Sequence, residues 1–489
     1  MANKSLSILF LAFSIFIVNC KREPILTDSS ARLVFSTDTV SFDTVFTTFG
    51  SATKHFIVYN HNKGPVKISL VSLASGSQSA FKVNIDGFKG PMVKDIEIGA
   101  NDSAYVFVQV SIDPNKQNAP IFVLDSLIFE TNGNLQNVKL AAWGQDIHLI
   151  KDSLINTQTW INDKPYLIYD TALIDSASTL TIEEGTKVFF HKKAFLAVQG
   201  TIIVNGTLEN PVIFRGDRLD YLGTTPPVSY DKLPGQWDRI IFFNSSTGNK
   251  FNYAEIRNAS IGLQVGVLGI PGSASLELSN CKIENNSAAG ILAINAKISA
   301  YNCLLDNAGS FLFGCWDGGE YDFNQCTFAN YFLYGSKSGI AVALQNHYVY
   351  TNDTTGKKTF YFGDLKKANF GNTVIYGDAP DEIYFDTVAG YKVNYVFNHC
   401  LIKGTTANLN VADQNKFVKN IISDKYDAGF KLIDNENILF DFQLTKTSLA
   451  RDAGDTAIAK LYPLDFFGKS RFLDYGPDIG AFEYFDPGK

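Results

Sequence analysis

The sequence predicts an all-β protein, a β-solenoid preceded by a β-sandwich. Three observations predict it. Residues 251–330 repeat themselves: Asn280-Cys281-Lys282-Ile283-Glu284-Asn285 returns as Asn302-Cys303-Leu304-Leu305-Asp306-Asn307 and again as Gln325-Cys326-Thr327-Phe328-Ala329-Asn330. Upstream, between residues 33 and 147, alternating apolar segments occur with no fixed period. The composition is rich in Phe (39) and Tyr (22) and poor in Met (2), as strand-forming chains are.

The cysteines of the repeat are 22 and 23 residues apart, and Asn285, Asn307 and Asn330 keep step with them. Fainter copies lie at Ala254-Glu255-Ile256-Arg257-Asn258, Asn372-Thr373-Val374-Ile375-Tyr376 and His399-Cys400-Leu401-Ile402-Lys403. A period in the low twenties with short β pieces is that of a coil of two or three strands. Coils stack at about 4.8 Å, so a residue written once per coil sits above its copy. Ile256, Ile283, Leu305, Phe328, Ile375 and Ile402 are therefore expected to stack inside. The asparagines suit left-handed turn positions, bonding their copies, and the cysteines suit a core stack.

In chain order, residues 1–19 read as a signal peptide: Lys4, then a mostly apolar run from Leu6 to Val18, too short to span a bilayer. The run ends Ile17-Val18-Asn19-Cys20, which resembles the lipobox of bacterial lipoproteins, although Asn19 departs from the usual small residue. That resemblance implies acylation of Cys20 and attachment to the outer membrane through the lipid, with the periplasmic and surface faces both open. Residues 20–32 are expected to be a linker. The five remaining thiols are an odd number without Cys-x-x-Cys spacing, so neither a disulfide framework nor a metal site is expected.

Residues 33–148 offer about seven short strands separated by turn signals such as Asn62-Lys63-Gly64 and Asn132-Gly133-Asn134, the number an immunoglobulin-like β-sandwich needs. Residues 149–178 are expected as linker and N-terminal cap, residues 179–445 as solenoid, and residues 446–489 as a segment covering the open edge of the last coil. Phe328 to Ile375 is 47 residues, about two coils, with a polar hairpin around residues 348–358. The turns Glu184-Gly185-Thr186, Gln199-Gly200-Thr201 and Asn205-Gly206-Thr207, with Gly235-Gln236-Trp237, resemble the opening coils of right-handed parallel β-helix proteins, the pectin-lyase-like group. With the closing Asp478-Ile479-Gly480-Ala481-Phe482-Glu483-Tyr484, residues 155–485 resemble uncharacterised β-helix lipoproteins of the Bacteroidota.

A net charge of −7 offers no basic face for a nucleic acid. The pectin-lyase-like resemblance implies polysaccharide as substrate, cleaved by clustered Asp residues with Gly-His-Gly, or by a Lys or Arg base with Ca²⁺. No His here is flanked by glycines. Asp217 with Asp220, Asp317 with Glu320 and Asp322, and Asp378 with Asp381 and Glu382 are the neighbouring carboxylates, either an acid/base pair or solvated turn residues. Trp237 and Trp316 are either sugar-stacking platforms or core fillers. Asp-Ser/Thr followed by an apolar residue or Thr occurs ten times, against roughly two by chance. It resembles a Bacteroidota O-glycosylation sequon with acceptors Thr39, Thr44, Ser103, Ser126, Ser153, Thr171, Ser176, Thr354, Thr387 and Thr456; a turn Asp before a strand gives the same pattern. The expected function is an envelope lipoprotein whose solenoid binds carbohydrate without catalysis. A polysaccharide lyase or hydrolase, using Ca²⁺ if any cofactor, and a spacer for a partner envelope protein are the alternatives.

Overall fold

A computed structural model describes residues 23–47, 49–114, 120–223, 227–335, 339–407, 409, 411–425 and 427–486. Residues 1–19 and Cys20 lie outside the described residues. The chain divides into two units, one ending at Asp146 and one starting at Ile147.

The first unit is a sandwich of two five-stranded sheets. Within Asp102–Val110 and Asn134–Gln145, buried and outward residues alternate, placing Val106, Val108, Val138 and Leu140 in a common core with Phe56 and Phe129. The pairing is antiparallel except where Thr39–Phe46 runs parallel to Asn134–Gln145. The segment 20–32 is not all linker: Leu26 bridges to Val66, and Ala31 is buried in the sandwich core.

The second unit is a parallel β-helix, its coils forming an 11-stranded and a 17-stranded parallel sheet. The expected inward row is the observed one: Ile256, Ile283, Leu305, Phe328, Ile375 and Ile402 are successive register partners, all fully buried. Before each cysteine of the row the backbone turns left-handed, at Asn280, Asn302, Gln325 and His399. Asn302 Nδ2 donates to Asn280 Oδ1 at 3.1 Å, and Asn280 Nδ2 to Asn252 Oδ1 at 3.1 Å. Cys281, Cys303, Cys315, Cys326 and Cys400 are buried and free.

Four expectations need correction. The solenoid starts at His148, since His148–Ile150, Ser153–Ile155 and Gln158–Trp160 already pair in parallel with the next coil; residues 149–178 hold the first coil and most of the second, not a linker. Phe328 pairs directly with Ile375, so the 47 residues between them are one coil enlarged by an inserted hairpin, not two. The solenoid also ends before residue 445, because Phe430–Asp434 and Leu439–Leu444 form a separate antiparallel hairpin.

Finally, the described part of the C-terminal segment, residues 446–486, does not close the last coil. It runs back along the outside of the 11-stranded sheet: Gly480 N donates to Asn372 O at 2.8 Å, Ala481 N to Thr327 Oγ1 at 3.0 Å, and Tyr253 Oη to Phe466 O at 3.1 Å. The reason is apolar surface. Leu304, Ala329, Val374 and Leu401 point outward from that sheet and are covered by Phe442, Phe466, Ile479 and Phe482. Arg471 pins the cover. It is fully buried, its Nη1 bonds Glu483 Oε1 at 2.6 Å, and its Nη2 donates to Asn302 Oδ1 at 2.9 Å.

Candidate functional site

The two tryptophans part company. Trp237 is 1 % exposed, stacked on Phe190 with ring centroids 4.0 Å apart, and its Nε1 donates to Arg257 O at 2.9 Å. It fills the core and meets no ligand. Trp316 is half-buried and stacks on Tyr348 at 4.1 Å, so it anchors the inserted hairpin.

The carboxylate clusters do not converge either. Asp217 bonds His191 at 2.6 Å, which holds the imidazole pKa above its ordinary value. Asp220 accepts two bonds from Arg218, at 2.6 and 2.7 Å. Asp322 pairs with Lys367, and Glu320 lies 3.8 Å from Lys366. Asp317 sits at a left-handed turn, its acid pushed up by burial. Asp381 accepts from Thr405 N at 2.9 Å. Glu382, fully buried, accepts from Ala341 N at 2.8 Å and Ala379 N at 2.9 Å, and burial pushes its pKa up to about 8. Most of these groups are taken up by turns and surface ion pairs, and the described residues hold no group of three or more metal-ligating side chains. The ten sequon hydroxyl residues are all at least partly exposed; Thr39, Ser153, Thr171 and Thr456 also begin regular elements, as the turn reading requires.

What sequence reading missed is on the hairpin, His347–Thr351 paired antiparallel with Lys358–Phe362. Its tip is polar, with Asn352 Oδ1 accepting from Thr354 N and Thr355 N and Gly356 at φ 67°. Its strands are aromatic. A strand's period of two puts Phe360 and Phe362 on one face. Their rings are 6.2 Å apart and 3° from parallel, and Tyr391, from the following turn, continues the row 5.4 Å from Phe362 at 9°. The three are 56 %, 42 % and 42 % exposed. The row ends against His347, whose imidazole stacks on Phe362 at 6.4 Å and lies 3.8 Å from Asp386. Three exposed, nearly parallel rings make an apolar strip edged by polar groups. Such a strip can stack on the C–H faces of successive sugar rings. The signal was Phe360-x-Phe362; Tyr391 lies too far along the chain to be joined to it by pattern.

A second missed feature is a cleft of about 280 Å³ on the outside of the 11-stranded sheet. Here Glu255–Lys282–Leu304 and Arg257–Glu284–Asp306 form two rows across three coils, flanking the inward Ile256–Ile283–Leu305 row and so facing out. Asp231 and Lys232 close one side, and Phe440, Phe467 and Phe482 supply apolar walls. Most charges there are matched: Asp231 lies 3.0 Å from Arg215 and 3.5 Å from Arg257, Lys282 3.3 Å from Glu255, and Asp441 2.9 Å from Lys431. Glu284 and Asp306 are the exceptions. Burial pushes both acids up, Asp306 well above the usual carboxylate range, and the neighbouring Glu284 raises Asp306 further.

No family model matches the chain, and no curated protein does. Among solved structures, the catalytic domain of a GH87 α-1,3-glucanase in complex with nigerose is similar at 9 % identity, covering 72 % of this chain and 82 % of that one, TM-score 0.22. A family 123 glycoside hydrolase from Clostridium perfringens is similar at 10 % identity over 23 % of this chain, TM-score 0.17, and this chain spans about a quarter (26 %) of its length. A human ASH/PapD-like domain is similar at 10 % identity, covering 26 % of this chain and 92 % of the domain, TM-score 0.17. Scores of this size carry no functional argument, and the reading of function rests on the chain's own residues.

Proposed function

We propose that this chain is a cell-envelope lipoprotein, anchored through Cys20, whose solenoid binds carbohydrate without cleaving it. The observation that carries the reading is the exposed row Phe360–Phe362–Tyr391. Apolar rings on a projecting hairpin cost solvation unless a partner covers them, and a flat sugar face is the partner that parallel rings fit. A pure spacer has no use for such a row. An enzyme needs carboxylates free to exchange protons, and most of those in the sequence-singled clusters are spoken for by Arg, Lys, His or backbone N–H groups. The test is a glycan array on the purified mature chain, with and without Ca²⁺, followed by product analysis of every polysaccharide retained. Retention without depolymerisation is expected. New reducing or unsaturated ends would establish the enzyme reading, and no retention would establish the spacer.

A further inference from the structure

One sheet of the sandwich turns an aromatic and cationic face to solvent. Lys54–Asn60, Asp102–Val110, Phe81–Ile85 and the two-residue Phe88–Lys89 lie side by side in it, all antiparallel. Alternation buries Val83, Ile85, Val106 and Val108 and sends Lys82, Asn84, Tyr105, Phe107 and Gln109 outward. Register sets the outward side chains in rows: His55, Phe107, Asn84 and Lys89 are successive partners, and Gln109 faces Lys82 in the next row. The rings of Phe107 and Tyr105 stack with centroids 6.1 Å apart, 19° from parallel, and are 39 % and 48 % exposed. Beside Phe107 the face deepens into a groove of about 860 Å³, edged by Gly76, Ser77, Gly90 and Pro91.

Charge, an unmet acceptor and shape narrow the occupant. Lys82 and Lys89 are exposed in the lining, neither forms an ion pair among the described residues, and the described lining holds no carboxylate to offset them. In a chain of net charge −7 this is a cationic site, and it favours an anion. The volume lies within the ~300–1,000 Å³ of ligand pockets, so the anion belongs to a sizeable organic molecule. Asn84, also in the lining, has its Oδ1 buried with no hydrogen-bond partner among the described residues. An acceptor so placed calls for a donor from outside the chain, such as a hydroxyl. Phe107 adds a ring face that C–H groups can cover. Anionic groups, hydroxyls and an apolar ring face together describe an acidic saccharide. A peptide added to the sheet would instead need the free backbone edge of Phe81–Ile85. That edge is plugged: Phe81 N donates to Ser79 Oγ at 3.1 Å, Gly90 N donates to Val83 O at 3.3 Å, and Phe88–Lys89 covers Asn84 and Ile85.

We infer that the outward face of this sheet, over Lys82, Asn84, Lys89 and Phe107, is a binding site for an acidic oligosaccharide, one that carries carboxylate or sulfate groups. The site belongs to the sandwich, goes beyond the solenoid's aromatic strip and does not rest on it.

The test titrates the full mature chain calorimetrically with four probes: a hexagalacturonate, its carboxyl-reduced neutral form, a carrageenan hexasaccharide bearing sulfates, and hexaglutamate. At least one of the two acidic hexasaccharides is expected to bind, and which one binds names the anionic group. The neutral form and the peptide are expected to bind at least tenfold more weakly. K82A/K89A, which changes two exposed side chains, is expected to lose at least tenfold in affinity at an unchanged melting temperature. F360A/F362A/Y391A is expected to bind the acidic probe as the wild type does, which separates this site from the strip. On the unmutated chain, the bound probe is expected to slow acetylation of Lys82 and Lys89 at least threefold, read by mass spectrometry, while Lys94 and Lys297 react as before; this keeps the test decisive should the double variant not fold. No binding of either acidic probe, equal binding of the neutral form or of hexaglutamate, equal binding by K82A/K89A, loss of binding in F360A/F362A/Y391A, or protection of other lysines in place of these two would overturn the inference.

Discussion

Two rows of aromatic rings in this molecule have nearly the same geometry and opposite surroundings. Inside the solenoid, Phe323, Phe370, Phe397 and Phe417 stack coil upon coil at 5.3, 4.8 and 5.4 Å, within 17° of parallel. On the outside, Phe360 and Phe362 of the inserted hairpin and Tyr391 of a following turn stack at 6.2 and 5.4 Å, within 9°. The inner rings are covered on every side and the outer ones are open to solvent. Stacking alone therefore says nothing of role; coverage does. The same contrast holds for charge. Arg471 and Glu483 pair with each other inside the C-terminal cover, whereas Glu284 and Asp306 line a cleft.

Mutations break the comparison along that line. Phe370→Ala removes a ring from the covered row and is expected to destabilise the solenoid by ~3–5 kcal/mol, read as a shifted denaturant midpoint. Arg471→Met strands the Glu483 carboxylate in the interior and is expected to cost ~3–5 kcal/mol by the same measurement, partly restored by R471M/E483L.

Glu382 sharpens the comparison by pH. Its folded pKa is raised from 4.5 to about 8, so the folded chain keeps a proton that the unfolded chain has already lost. Its contribution is therefore most favourable below about 4.5 and falls as pH climbs toward 8. The melting temperature is expected to drop between pH 5 and 8, and E382Q is expected to flatten that drop. At the small end, F360A/F362A is expected to change stability by less than ~0.5 kcal/mol, since open rings contribute little to folding.

The sequence was most legible where one residue is written once per coil. Ile256, Ile283, Leu305, Phe328, Ile375 and Ile402 share a phase, and phase is all that a parallel register requires. The cover was not legible, because Arg471 meets Asn302 from 169 positions away and no period links them. Glu284 and Asp306 stood inside the most obvious repeat, one place beyond its inward residues. Their phase told only that they face outward. The walls that turn an outward face into a cleft come from Asp231, Lys232 and residues 438–482. Trp237 misled for a related reason: a large ring suits a platform or a core, and only the stack on Phe190 decides between them.

The central claim, that the open row is the contact surface for carbohydrate, is tested most directly by comparing the wild-type chain with F360A/F362A/Y391A. Both would be titrated calorimetrically with the polysaccharide that the glycan array retains. The account expects at least a tenfold loss of affinity at an unchanged melting temperature. Equal affinity in the two proteins would contradict it.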